Sequence, residues 1–268
     1  MAISDLHCGH RAGLTPPSWQ FVEDQEDAER QRWARMQRET WADYLSMIEP
    51  YKGRVDYLII NGDCVDGKGE RSGGTELITS DRDEQAMMAA RAIKEIGARV
   101  IVMTFGTPYH VGATEDFEKV AAREVGAVKI ENEAKYRIEG KLFHCKHFLS
   151  SSIVPYGRLT SINRDKLWGL IWSEMYGKEK ADITIRSHVH YYGYSDDTPF
   201  GIGLITPALQ GPGTKFGGRI CSGWVDFGIS VLEVSRGEKI KCMVDKRPLS
   251  AQSQEPLDLT ALLREQNA

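Results

Sequence analysis

VDYLIINGDCVD, residues 55–66, is the stretch on which the fold turns. Val55 to Ile60 is a nearly continuous apolar run, and Asn61-Gly62-Asp63 stops it at once. A run without polar alternation is a strand covered on both faces, and the stop delivers a carboxylate at its carboxyl end. The arrangement recurs on either side. Upstream, Met1 to Ser4 is a short apolar start ending in Asp5-Leu6-His7, followed by a polar Gly/Pro stretch to Trp19. Downstream, Ala98 to Phe105 is a β-rich run broken by Gly106-Thr107-Pro108-Tyr109-His110, and Asp182 to Arg186 leads into Ser187-His188-Val189-His190.

Helical patterns separate these strands. From Glu23 to Ile48, Trp33, Trp41, Tyr44, Leu45 and Ile48 fall near one face, with acids leading and arginines following as the helix dipole favours. Gln85 to Ile96 is helical, Thr114 is placed to cap a helix reaching Val125, and a further helix covers Thr160 to Tyr176. Short strands are expected around Val128, around Tyr136 and over Leu142 to Phe148. A Gly/Pro-rich stretch then runs from His190 to Trp224, before two late strands at Gly228–Val234 and Lys239–Asp245. Early βαβα units followed by β-rich hairpins indicate a layered α/β protein. The reading gives a single domain over residues 1–250 and a polar tail over 251–268.

Composition narrows the function. The 268 residues are 41% hydrophobic, 27% charged and 9% aromatic, the profile of an ordinary globular chain. Thirty-four Lys and Arg against 38 Asp and Glu leave a formal net charge of −4, so no global positive field recruits polyanions. The five cysteines are odd in number and form no CxxC pair, which excludes a disulfide framework and points to a reduced, cytoplasmic setting. No apolar run approaches the ~20 residues of a membrane span.

Asp5-x-His7 taken alone carries little information. Three features together, Asp5-x-His7, Gly62-Asp63-x-x-Asp66 and His188-x-His190, each sit at the end of an apolar strand, and carboxylate with imidazole suits borderline divalent metals. His188 and His190 can project on one side or straddle two ions. Asp63 has two oxygens and can bridge cations ~3.5–4 Å apart, the separation used in two-metal phosphoryl chemistry. Asp66 reads as an acceptor that orients a ligand imidazole.

The ordered set DLH (5–7), GDCVD (62–66), the Gly-to-His turn (106–110), FHCKH (143–147) and SHVH (187–190) resembles the calcineurin-like metallophosphoesterases, from residue 3 to about 235. The resemblance implies a four-layer αββα sandwich of two mixed sheets flanked by helices. It also implies two divalent metal ions, manganese foremost, with iron, zinc, nickel or magnesium as alternatives. It carries Asp5, His7 and His190 to the first metal, makes Asp63 the bridge, and assigns His188 and one of His144 or His147 to the second metal, with His147 preferred. Segments 62–74, 150–158 and 206–217 are similar to phage-encoded members, which implies the host cytoplasm.

Two departures matter. The family's Gly-Asn-His is replaced by Gly106-Thr107-Pro108-Tyr109-His110, so the Asn oxygen is missing. Thr107 is then a weaker oxygen donor or His110 takes the position, and the second metal becomes labile; His110 is otherwise the general acid. Ser187 stands where the family usually has Gly, tolerable if its φ stays negative.

The activity so implied is hydrolysis of phosphate esters by a metal-activated water, with catalytic residues His110 and Asp63 and no covalent intermediate. Phosphodiesters of nucleic-acid ends or nucleotides are favoured, phosphomonoesters are the alternative, and a non-catalytic binding platform is the rival from another class. Arg158, Arg164, Lys215 and Arg219 are candidates to pair with phosphate oxygens, Arg158 first among them. Tyr156, Tyr191, Tyr192, Tyr194 and Trp224 serve either base stacking or the core. His10 and His144 are reserve ligands, and Cys8, Cys64 and Cys145 are buried thiols without a metal role.

Overall fold

The computed structural model describes residues 1–111, 116–152, 154–196, 200–220, 224–250, 258–260 and 264. Its first sheet has the order β11-β10-β1-β2-β3-β4. The strands are β1 (Ala2–Ile3), β2 (Tyr57–Asn61), β3 (Val100–Thr104), β4 (Lys129–Glu131), β10 (Phe227–Glu233) and β11 (Lys241–Arg247). β1 to β4 run parallel, and β10 and β11 close the edge antiparallel.

The second sheet has the order β5-β6-β7-β9-β8. It comprises β5 (Glu133–Ile138), β6 (Lys141–Lys146), β7 (Ile183–Arg186), β8 (Gly193–Asp196) and β9 (Ile202–Ile205). β6, β7 and β9 are parallel, flanked by antiparallel neighbours. Both sheets are therefore mixed.

The period-2 alternation of each strand sorts side chains into layers. Leu58 and Ile60 of β2, with Ile101 and Met103 of β3, pack against helices α1 (Ala28–Ile48) and α2 (Arg82–Lys94). Ile59 and Val102 point the other way and meet Phe143, Cys145, Ile183 and Ile185 of the second sheet. The outer face of the second sheet receives helix α5 (Thr160–Tyr176) through Ile162 and Ile205. Helix, sheet, sheet and helix thus form four layers, with two mixed sheets flanked by helices. Between α2 and α5 lie a single turn, α3 (Pro108–Val111), and α4 (Glu118–Glu124); α6 (Lys215–Ile220) precedes β10.

Several boundaries differ from the sequence reading. α1 starts at Ala28 because Asp27 accepts a hydrogen bond from the Arg30 amide, which leaves the acids before it outside the helix. α2 starts at Arg82, since Asp81 caps the amides of Asp83 and Glu84. The stretch between His190 and Trp224, read as irregular, contains β8, β9 and α6. The two strands are four residues each and carry Gly193 and Gly203, which masked their β pattern. The last two strands are displaced to Phe227–Glu233 and Lys241–Arg247. Thr114, Cys221 and most of the tail from residue 251 lie outside the described residues. Among the described residues no helix is long and apolar enough to cross a membrane.

Candidate metal centre

All the predicted strand-end motifs meet at one edge. Beyond β1 the backbone keeps pairing with the loop after β2: the amides of Asp5, His7 and Cys8 donate to the carbonyls of Gly62, Asp63 and Cys64 at 3.0, 3.0 and 2.9 Å. This ladder sets Asp5 and His7 beside Asp63. It is an unusual backbone, with φ of 52° at Asp5, 44° at His7, 51° at Asp63, 76° at His188 and 55° at His190. Among the described residues the only other non-glycine at positive φ is Glu139, in the two-residue turn joining β5 and β6. Such conformations cost of order 1 kcal/mol each and persist where surrounding contacts impose them. Ser187 keeps a negative φ, so the departure from glycine there costs nothing in backbone strain.

Close approach explains two glycines in the motifs. A Cβ on Gly106 would lie 1.9 Å from Asp63 Oδ1, and one on Gly62 would lie 2.6 Å from His147 Nδ1. Only glycine lets the loops after β2 and β3 approach this closely.

The side chains form three overlapping groups whose ligand atoms lie within 4.8 Å of one another: Asp5, His7 and His190; His7, Asp63 and His110; and Asp63, His147 and His188. Asp5 Oδ1 lies 3.2 Å from His190 Nε2 and 3.8 Å from both His7 Nε2 and His147 Nε2. His7 Nε2 and His190 Nε2 face each other at 3.2 Å. Asp63 Oδ2 is 2.9 Å from His147 Nε2 and 4.0 Å from His188 Nδ1. His188 and His190 thus straddle the site, one in each end group.

Three imidazoles have one nitrogen tied to oxygen. His147 Nδ1 donates to the Asn61 carbonyl at 2.6 Å, His110 Nδ1 donates to the Asp66 carbonyl at 2.8 Å, and His7 Nδ1 faces Asp66 Oδ1 at 3.1 Å. Each ring thereby turns Nε2 toward the other site residues, the orientation a cation needs, with His7 Nε2 against His190 Nε2. Asp66 also lies 3.4 Å from His110 Nδ1, so it orients two rings while remaining outside the three groups. Thr107 gives its amide to Asp63 Oδ1 at 2.7 Å, with its hydroxyl 3.3 Å from both carboxylate oxygens.

Whether this pocket fits cations is answered by what it leaves unpaired. Asp5 Oδ1 and His147 Nε2 are buried, and their nearest polar contacts, His190 Nε2 at 3.2 Å and Asp63 Oδ2 at 2.9 Å, lack the alignment of a hydrogen bond. An orphaned buried carboxylate oxygen and an orphaned imidazole nitrogen facing one pocket are costly unless a cation lies between them. The electrostatics agree. Burial opposes ionisation of Asp5, yet His190 and His147 hold its pKa well below the usual carboxylate range. Burial likewise resists charge on His7 and His147, but the surrounding carboxylates, Asp5 and Asp66 for the one and Asp63 and Asp5 for the other, push them up to about 10 and about 9. The buried carboxylates thus favour positive charge at His7 and His147, while burial lowers the pKa of His190.

The structure adds residues that sequence reading missed. Glu118, fully buried, accepts the amides of Cys64 at 2.6 Å and Gly106 at 2.7 Å, clamping the loops that carry Asp63 and Thr107. Burial, and then the charge of Asp63, push its pKa up to about 7. A buried polar chain runs beneath the site. Asn61 Nδ2 donates to Ser187 Oγ at 2.7 Å, Ser187 and Thr206 hydroxyls pair at 2.6 Å, Thr206 and Ser4 at 2.7 Å, and Ser4 donates to Asp5 Oδ2 at 2.6 Å. It links both sheets to one ligand carboxylate. Asn61 adjoins the Gly-Asp motif and was legible as part of it, whereas Glu118 carries no local signal.

Other candidates are placed elsewhere. His144 turns to the outer face of the second sheet and pairs with Glu133 at 2.7 Å, because β6 alternates and Phe143 and Cys145 take the inner face. His10 accepts the Ala12 amide and approaches Glu76. The Arg158 guanidinium lies 4.8 Å from the Tyr191 ring centre, Arg164 binds Ser150, and Lys215 binds Thr75. The Arg219 side chain lies outside the described residues. Tyr191, Tyr192 and Tyr194 pack in the core, while Tyr156 and Trp224 are exposed. Cys8, Cys64 and Cys145 are free, buried thiols.

No protein-family model matches the chain, and no curated protein matches it. Solved structures similar in fold include an archaeal phosphodiesterase, at TM-score 0.47 and 13% identity, covering 91% of this chain and 97% of that one. Zinc-complexed wild-type Vps29 of Entamoeba histolytica has TM-score 0.41 and 13% identity, covering 91% and 97%. Chaetomium thermophilum Vps29 has TM-score 0.44 and 10% identity, covering 92% and 95%. Likeness at this level says nothing of what the chain acts on.

Proposed function

We propose that this protein is a calcineurin-like hydrolase of phosphate esters that uses two divalent cations, one held by Asp5, His7 and His190 and the other by His147 and His188, with Asp63 shared. The orphaned pair Asp5 Oδ1 and His147 Nε2, buried on one pocket, carries the reading. Such cations supply Lewis acidity toward phosphoryl oxygens and lower the pKa of bound water. Carboxylate and imidazole donors suit manganese, and iron, zinc or nickel as well, better than magnesium, which prefers oxygen.

The chain's own residues do the rest. Asp66 and the Asn61 carbonyl fix the imidazole rings, and Glu118 holds the Asp63 loop against the Thr107 loop. His110 in its imidazolium form, with Nδ1–H donated to the Asp66 carbonyl, would give the Nε2 proton to the leaving oxygen and become neutral, a contribution of ~10²–10⁴-fold for a positioned acid. Nucleotide or nucleic-acid-end phosphodiesters are the favoured substrates. Phe148, half exposed beside the His188 ring at 5.0 Å, and Tyr109 beside His110 at 4.8 Å offer planar surfaces for a base at the rim. Thr107, whose amide and hydroxyl both face Asp63, favours the rival reading of a platform that binds without turnover.

The test is hydrolysis of an aryl phosphodiester and an aryl phosphomonoester with manganese added or chelated. Metal-dependent turnover of either ester supports the reading, and preference between them fixes the substrate class. Metal-loaded protein inert on both esters and on DNA hands the fold to the binding platform.

A further inference from the structure

The second half of α5 is anomalous. Between Leu167 and Tyr176, seven of ten residues are large and apolar, and not one of the ten is buried. Trp168 and Trp172 are 46% and 44% exposed and stack on each other at 5.8 Å, while Met175 and Tyr176 are each 65% exposed. A helix apolar on this many sides is ordinarily covered by protein. On its inner side it stands off the second sheet over a cavity of about 140 Å³, bordered by Gly169, Trp172, Lys135 and His144. The metal centre leaves this helix half unexplained.

The outward stripe is Arg164, Leu167, Trp168, Ile171 and Met175, with Glu174 at its margin, following the i, i+3, i+4 spacing of one helix face. Its two charges lie at opposite ends, Arg164 toward the amino end and Glu174 toward the carboxyl end, both exposed. That order is self-complementary. When two such helices pair antiparallel about a two-fold axis near residue 169, Leu167 of each meets Ile171 of the other, and Arg164 meets Glu174. The apolar area the stripe offers is small: Leu167, Trp168 and Met175 supply most of it, less than the ~800 Å² per partner of a standard-size interface, so the contact is a weak and reversible one. The stripe's apolar residues are contiguous along one face, with Trp168 stacked on Trp172, whereas ordinary exposed apolar residues are scattered singly.

We infer that the α5 face is the interface of a two-fold symmetric homodimer, with a second copy of this chain as its occupant. Such an isologous contact needs no other partner, and it places the helix dipoles antiparallel.

The experiment is sedimentation velocity on the full chain from 1 to 100 μM. Wild type is expected to show a reversible monomer–dimer equilibrium, and Trp168→Asp, as a central aromatic, to weaken it by ~30-fold or more. Because Trp168→Asp bears on packing, a charge swap gives an independent reading. Glu174→Arg and Arg164→Glu are each expected to weaken dimerisation by ~10-fold, and the two combined to restore it. A wild type that stays monomeric at 100 μM overturns the inference, as does a dimer that neither Trp168→Asp nor the single charge changes disturb. A monomer that binds single-stranded DNA through Trp168 and Trp172 overturns it in favour of a nucleic-acid surface.

Discussion

The two ends of the candidate metal centre are built to different standards. At the first, Asp5 and His7 are buried and each has its own support, Ser4 and the His188 amide on Asp5 and Asp66 on His7, while His190 is 20% exposed. At the second, His147 is buried and tied to Asn61, but the His188 side chain is 33% exposed beside Phe148, and Thr107 stands where an amide oxygen would ligate. Fewer held donors and more water mean weaker retention of a cation. On the proposed reading, the first end is the more enclosed and the second, with His188 33% exposed, the side from which an ester would enter.

The bluntest way to break this comparison is Asp63→Ala, which takes a ligand from both ends. Metal content by elemental analysis should fall at both, with metal-dependent hydrolysis down by on the order of 10³-fold. A variant that keeps one tight ion and full turnover would show that the ends do not share Asp63.

Separating the ends is the next step. His190→Ala should weaken the tighter of two manganese-binding phases by ~10–100-fold, whereas His188→Ala should act on the weaker phase only. The reverse order in calorimetric titrations would invert the comparison. Thr107→Asn sharpens it from the other side: an added amide oxygen should tighten the weak phase by ~10-fold and leave the tight one unmoved.

Smaller effects probe the supports. Thr206→Val cuts the hydroxyl chain between Ser187 and Ser4, and should loosen the tight phase by up to ~10-fold while costing the metal-free protein ~1–2 kcal/mol by thermal melting. Loss of stability with both phases intact would make the chain a brace between sheets and nothing more.

His144 is the control. Burial, and then Arg186, hold its pKa down at about 4. The unfolded chain then binds a proton that the fold refuses, so stability is lost as pH falls from about 6.5 toward 4, by ~1–3 kcal/mol. His144→Phe should flatten that acid limb and change neither metal phase, in contrast to His147→Ala.

The strands that build the site were legible because an apolar run followed by Asn-Gly-Asp or Ser-His-x-His has few other readings. Between His144 and His147 the sequence offered a preference for His147 but no decision; the strand's alternation, with Phe143 and Cys145 on the inner face of β6, puts His144 outside against Glu133. β8 and β9 were not legible, since four-residue strands carrying glycines look like loop. Glu118 was out of reach, because nothing near it in the sequence says that its carboxylate will close two distant amides. The unpacked half of α5 was equally silent: sequence shows an apolar helix, and only the layer order shows that none of its last ten residues is buried among the described residues.

The left-handed backbone at Asp5, His7, Asp63, His188 and His190 bears on protein engineering. Copying these five side chains onto the strand ends of another scaffold would aim them wrongly, because an ordinary extended or right-handed residue sends its Cβ in another direction. What must be grafted is the reversed local handedness, together with the glycines and the buried carboxylate that let two loops touch. Read this way, the motif is a shape of the main chain, to which imidazoles and carboxylates have been added.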